Sequence, residues 1–147
     1  MPSAPTHRHA DSTIAFAVPA DWVERTVVVY SAPPGTSAAP PNVVVAYDRP
    51  APGEDLAGYV ARQLADLTRT APGFELVSRS DVALAGRPAV ELTFRWDAGP
   101  GRLQQRQHYT LLADGRLATL GCTALADEWD ASDALFAQVL PTVRWTR

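Results

Sequence analysis

Between residues 74 and 124 runs of strand-like, largely alternating side chains are separated by turn signals. Residues 74–84 read as a strand, Ala85-Gly86-Arg87-Pro88 as a turn, and residues 89–96 as a strand whose Val90, Leu92, Phe94 and Trp96 lie opposite Glu91, Thr93 and Arg95. Gly99-Pro100-Gly101 makes the next turn. Residues 103–113 and 116–124 then form a further pair joined at Asp114-Gly115, a dipeptide that favours a tight hairpin. Four sequential antiparallel strands are the result, and whatever else the chain builds must pack on that sheet.

Upstream, Ile14, Phe16 and Val18 alternate with Thr13, Ala15 and Ala17 as a half-buried strand does, ended by Pro19. Residues 26–31, after Trp22, and residues 43–47 are β-branched and aromatic runs that predict two more strands, separated by a loop at residues 33–42 with four prolines and one glycine. Between residues 53 and 71 the period becomes helical: Leu56, Tyr59, Val60, Leu64 and Leu67 share one face, and Pro72-Gly73 stops the helix. A second helix is expected over residues 127–140, with acidic residues in its first turn and Pro141 closing it, and Val143 and Trp145 suggest a last short strand. Strands in runs with two main helices give an α+β class, an antiparallel sheet flanked by helices, rather than a parallel βαβ core. Residues 1–11 carry no apolar period and are expected as a flexible arm ahead of a single domain at 12–147.

The chain has 147 residues, 46% hydrophobic and 20% charged, enough to bury one core. Its net charge is -3 and all 13 basic residues are arginines without a basic stripe, so nucleic acid is not an expected partner. No run approaches the ~20 apolar residues of a membrane span, and residues 1–11 lack the apolar stretch of a signal peptide. The expectation is therefore a cytoplasmic protein that does not itself insert into a membrane. The lone Cys122 can make no intrachain disulfide.

Catalytic motifs are missing: there is no GxGxxG, GxxxxGK, GxSxG, CxxC or HExxH. His7 and His9 have a spacing that suits a metal in a strand but no further ligand nearby, so neither a metal nor a cofactor is expected. His108 alternates with Arg106 and Thr110 and reads as an exposed or edge-facing polar residue. Cys122 shares a face with Ala118, Leu120 and Ala124 and reads as a small buried hydrophobe. Asp127, Glu128, Asp130 and Asp133 read as helix-start and solvent-face charges, and the four tryptophans as packing residues. No enzyme is expected.

Two placements break this pattern. Gln63 falls on or beside the apolar stripe of the first helix, and Gln105 and Gln107 alternate with Leu103, Tyr109 and Leu111 on an otherwise apolar strand face. An amide left unpaired in apolar surroundings costs roughly 1–3 kcal/mol, so these groups must be satisfied by one another, by water or by a partner.

The order of four segments, FAVPADWVERTVVVY, VVVAYDRPAPGEDLAGYVARQLADL, PGFELVSRSDVALAGRPAVELTFRW and LQQRQHYTLL, resembles the DcrB-like family, whose cytoplasmic branch includes the Eag chaperones of type VI secretion systems. The AGRPA turn, the strand end in RW and the QRQ strand carry the likeness, which runs from about residue 12 to the end. The resemblance implies a PsbP-like α/β/α sandwich and a homodimer. It further implies that the protein shields the hydrophobic N-terminal segments of a secreted effector before export. It places Val27, Val29, Gln63 and Gln107 in the partner-binding groove, with Gln105, Asn42 and Leu67 as further contacts. The alternative is a non-enzymatic DcrB-like binding module of another envelope or secretion-associated assembly, against which the lack of a signal peptide and of a lipid-attachment cysteine weighs.

Overall fold

The computed structural model describes residues 6–10, 13, 15–23, 25–35 and 37–146. Along them run β1 (Thr6–Ala10), β2 (Ala15–Pro19), β3 (Val27–Ser31), β4 (Asn42–Asp48), α1 (Leu56–Thr70), β5 (Glu75–Leu84), β6 (Arg87–Ala98), β7 (Gly101–Leu111), β8 (Leu117–Leu125) and α2 (Trp129–Val139). Short 3-10 turns, Ala126–Glu128 and Leu140–Thr142, flank α2.

The period-two stretch folds as four sequential antiparallel strands, and β4 and β3 extend them into a six-stranded sheet of order β3-β4-β8-β7-β6-β5. Residues directly opposed in an antiparallel ladder point to the same face, so the register sorts every side chain. One face carries Leu92 and Phe94 of β6, Gln105, Gln107 and Tyr109 of β7, Thr119, Gly121 and Thr123 of β8, Asn42, Val44 and Ala46 of β4, and Val27 and Val29 of β3. The opposite face carries His108, Leu120, Cys122, Val43 and Val45.

Each face receives one helix. Asp55 caps α1 by accepting from the Gly58 N–H at 2.8 Å, and the predicted stripe docks: Tyr59 and Val60 are buried among Val90, Leu92, Phe94, Tyr109 and Leu117, with Leu56, Leu64 and Leu67 packed alongside. Past its end, Gly73 takes a positive φ of 64°, and Arg102 ties the turn down by donating to the Gly73 carbonyl at 3.1 Å and to Asp97 at 2.9 Å. On the other face Trp129 and Phe136 of α2 pack with Cys122 and Ala124, and Val43 and Leu140 join them. Arg106 lies over the Trp129 ring and pairs with Asp133 of α2 at 2.5 Å. The α+β, α/β/α arrangement is thus the one expected.

Four local expectations are corrected. Thr6–Ala10, assigned to a flexible arm, pairs antiparallel with β2 as a separate two-stranded ladder, while residues 1–5 of that arm lie outside the described residues. The β2 strand is exposed rather than half-buried, with Phe16 50% accessible, and Ile14 lies outside the described residues. Val143 and Trp145 form no strand: the Trp145 indole N–H donates to the Leu84 carbonyl at 2.9 Å, and the Arg87 guanidinium sits 5.7 Å from its ring centroid. His108 is buried, because both faces of the central strands are covered and a polar residue there has no solvent to face.

Candidate functional site

The α1 side of the sheet is only half covered. The helix packs on β6 and β7, and the face of β8, β4 and β3 continues beyond it toward the sheet edge. At that edge β3 presents Val27 and Val29, 57% and 54% accessible, where β-branched apolar side chains lose their usual burial. Between this strand and α1 lies a cleft of about 300 Å³ lined by Val27, Ala46, Gln63, Gln107, Tyr109 and Thr119, among others. Three of the predicted residues, Val27, Gln63 and Gln107, therefore meet in one cavity.

The two strand amides are joined into a chain. The Tyr109 hydroxyl donates to the Gln107 carbonyl oxygen, Gln107 Nε2 donates to Gln105 Oε1 at 2.9 Å, and Gln105 Nε2 donates to Thr123 Oγ1 at 2.8 Å. This line of hydrogen bonds crosses the floor of the face from β7 to β8 and fixes both amides, so they satisfy one another in place of water. Burial pushes the Tyr109 hydroxyl well above its ordinary range, which keeps it a donor. Room for the chain comes from Gly121, where a Cβ would stand 2.9 Å from Gln105 Nε2.

Gln63 is different. Its side chain makes no hydrogen bond among the described residues and faces the cleft with its amide free. Asn42, opposite Thr123 on β4, has a buried Oδ1 without a hydrogen-bond partner among the described residues. Val29 continues the apolar edge one residue pair beyond Val27, whereas Leu67 packs against the core under α1. Tyr59 closes the other end of the cleft: its hydroxyl donates to Asp48 Oδ2 at 2.9 Å and Arg62 lies over its ring. Sequence reading missed Tyr109, Thr123 and Gly121. The alternation that singled out Gln105 and Gln107 already placed Tyr109 beside them, but the neighbours on β8 depend on register across a hairpin.

The reactive groups are otherwise engaged. Cys122 is fully buried and its thiol is pushed up to about 11, chiefly by burial, which leaves it a poor nucleophile. Burial also holds the His108 imidazole below its ordinary value; the neutral ring donates from Nε2 to Glu91 at 2.9 Å, and Nδ1 has no partner among the described residues. No group of three or more His, Cys, Asp or Glu that could hold a metal occurs among the described residues, and no helix there is long and apolar enough to cross a membrane.

Fold and face together define a binding module: an α/β/α sandwich whose sheet leaves an apolar edge and an amide-floored cleft open beside one helix. The chain belongs to the DcrB family, whose model matches residues 14–142. It is 29% identical over 110 residues to Effector EagT6 of Pseudomonas aeruginosa, covering 75% of this chain and 76% of that one, which agrees with the DcrB/Eag-type likeness seen in the sequence. Among solved structures, PA94 from Pseudomonas aeruginosa, a protein of unknown function, superposes with a TM-score of 0.77 at 21% identity over 97% of this chain and 98% of that one. Cyanobacterial PsbP from Synechocystis sp. PCC 6803 gives a TM-score of 0.51 at 16% identity over 94% and 91% of the two chains, which accords with the PsbP-like architecture.

The same findings overturn two expectations. The matching family includes periplasmic and lipoprotein-associated members, so membership in it removes the ground for a cytoplasmic placement. With that placement goes the reading of a cytoplasmic chaperone that shields transmembrane segments before export. The matches support the broader class, a DcrB/Eag-family binding module concerned with effector or envelope-associated proteins.

Proposed function

We propose that this chain is a non-enzymatic DcrB-like binding module of an envelope or secretion-associated assembly, and that the open half of its α1 face takes up an apolar segment of a partner protein. The observation that carries this reading is the juxtaposition of exposed Val27 and Val29 with a cleft lined by Tyr109 and Gln107, which are held in place by the hydrogen bonds running on to Gln105 and Thr123, and by the free Gln63 amide. Apolar side chains supply the burial, at about 25 cal/mol per Å², and a free amide gives an apolar segment with one exposed polar group a reason to choose its register. Thirteen arginines against sixteen acidic residues, with no stripe of one sign, favour such a surface over a polyanion site.

The relative named Effector EagT6 makes effectors the first partner class to test. Pairing into a homodimer belongs to the same reading, because β3 ends the sheet with its apolar residues exposed on both faces and a second copy can cover it.

Photo-crosslinking tests the reading. A crosslinker placed at residue 27 or 29 is expected to join one apolar segment of one partner, identified by mass spectrometry, whereas the same group at Arg79, exposed on β5, is expected to give none of that product. Equal products from residues 27 and 79 would sink it.

A further inference from the structure

On the opposite side of the sheet, the C-terminal segment after α2 runs back across the strands, held by the Trp145 indole N–H on the Leu84 carbonyl and by Arg87 over the Trp145 ring. Between this segment and the sheet lies a cleft of about 470 Å³, within the range of small-molecule sites. Its walls are apolar over most of their extent, with Val45, Leu84, Leu112, Leu120, Val143 and Trp145 among them, and His108 is held neutral there by burial.

Two cations border the cleft, and they differ. Arg116 is spoken for: it donates to Asp114 at 2.8 Å and lies over the Tyr47 ring, 4.8 Å from its centroid. Arg144 makes no ion pair or hydrogen bond among the described residues, on a chain whose net charge is -3. An apolar cavity with one uncompensated guanidinium at its border matches a ligand with one apolar tail and one anionic head, since the planar fork of arginine suits a carboxylate.

We propose that this cleft binds a single-chain acyl carboxylate, with the tail along Leu84, Leu120 and Trp145 and the head on Arg144. The site is lined by neither Val27 nor Gln63, although Tyr47 and Thr119 border both clefts.

The test is isothermal titration of the full chain with octanoate, decanoate and decyltrimethylammonium, each below its micellar concentration. Decanoate is expected to bind saturably and more tightly than octanoate by roughly three- to fourfold per added methylene, and decyltrimethylammonium not to compete. Arg144→Ala is expected to weaken decanoate roughly tenfold, the scale of one charge-assisted contact, while Arg144→Lys recovers most of that loss and Val27→Asp changes nothing. The proposal is overturned if decanoate gives no saturable heat, if the cationic amphiphile binds as tightly, if Arg144→Ala leaves the affinity unchanged, or if Val27→Asp abolishes binding.

Discussion

Gly121 lies so close to Gln105 that a Cβ on it would stand 2.9 Å from the Gln105 amide nitrogen. The atom it would meet is the far end of a flexible side chain, so Gly121→Ala is expected to turn the Gln105 amide away from Thr123 instead of unfolding the sheet. Loss of that one hydrogen bond costs about 0.5–1.5 kcal/mol, partly offset by the lower entropy of an unfolded chain that has Ala in place of Gly. Thermal unfolding should therefore shift little. Crosslinking to the partner from residue 27 should fall, because Gln107 loses the neighbour that fixes it. A normal crosslinking yield in a folded Gly121→Ala protein would show that the amide chain serves the fold alone.

Val27 and Val29 contribute little to stability where they stand. Substitution of either by Asp is expected to change the unfolding free energy measured in urea by no more than about 0.5 kcal/mol, as for other exposed positions, and to abolish partner crosslinking from the neighbouring edge residue. Leu92, fully buried beneath α1, provides the contrast: Leu92→Ala is expected to cost about 2–5 kcal/mol. A loss of that size from Val27→Asp would assign the edge valines to the core.

Cys122 serves as an internal gauge of folding. With its thiol raised to about 11 and no accessible surface, it is expected to remain unreactive toward an aromatic disulfide reagent at pH 8 in the native protein and to react fully in denaturant. Stoichiometric native reaction at the rate of a free thiol would mean that the α2 layer opens readily.

Periodicity made the helix and the central strands legible, because their residues satisfy a local rule: Leu56 to Leu67 recur at helical steps, and Val90 to Trp96 at every second residue. The same rule identified Val27 and Val29 as strand residues, yet only the strand order makes β3 an edge, and strand order is decided by contacts far apart in sequence. His108 shows the converse failure. A polar residue that shares a strand face with Arg106 and Thr110 reads as solvent-facing, but β7 lies inside a sheet with a helix on each side, so its second face is buried too. The amide pair was visible as an anomaly, and its resolution through Tyr109 and Thr123 needed the β7–β8 register. Placement in the cell was not legible at all, since nothing in the folded core records it.

His108 also gives the fold an acid dependence whose sign follows from its surroundings. Burial is the largest influence and lowers its affinity for a proton; Arg106 acts in the same direction, and Glu91 opposes both. Once unfolded, the imidazole takes up a proton as the pH falls through about 6.5, while the folded ring does so only at lower pH. In that window the unfolded state holds more protons, so stability falls as the pH drops below about 6.5 and is unaffected by this group above it. His108→Gln keeps an N–H donor for Glu91 but removes the titration. Urea midpoints at pH 7.5 and 5.5 are therefore expected to separate more for the native sequence than for the variant. An equal separation in both would assign the acid sensitivity to the carboxylates instead, with Asp114, held below its ordinary range by the Arg116 backbone N–H and then its guanidinium, as one of them.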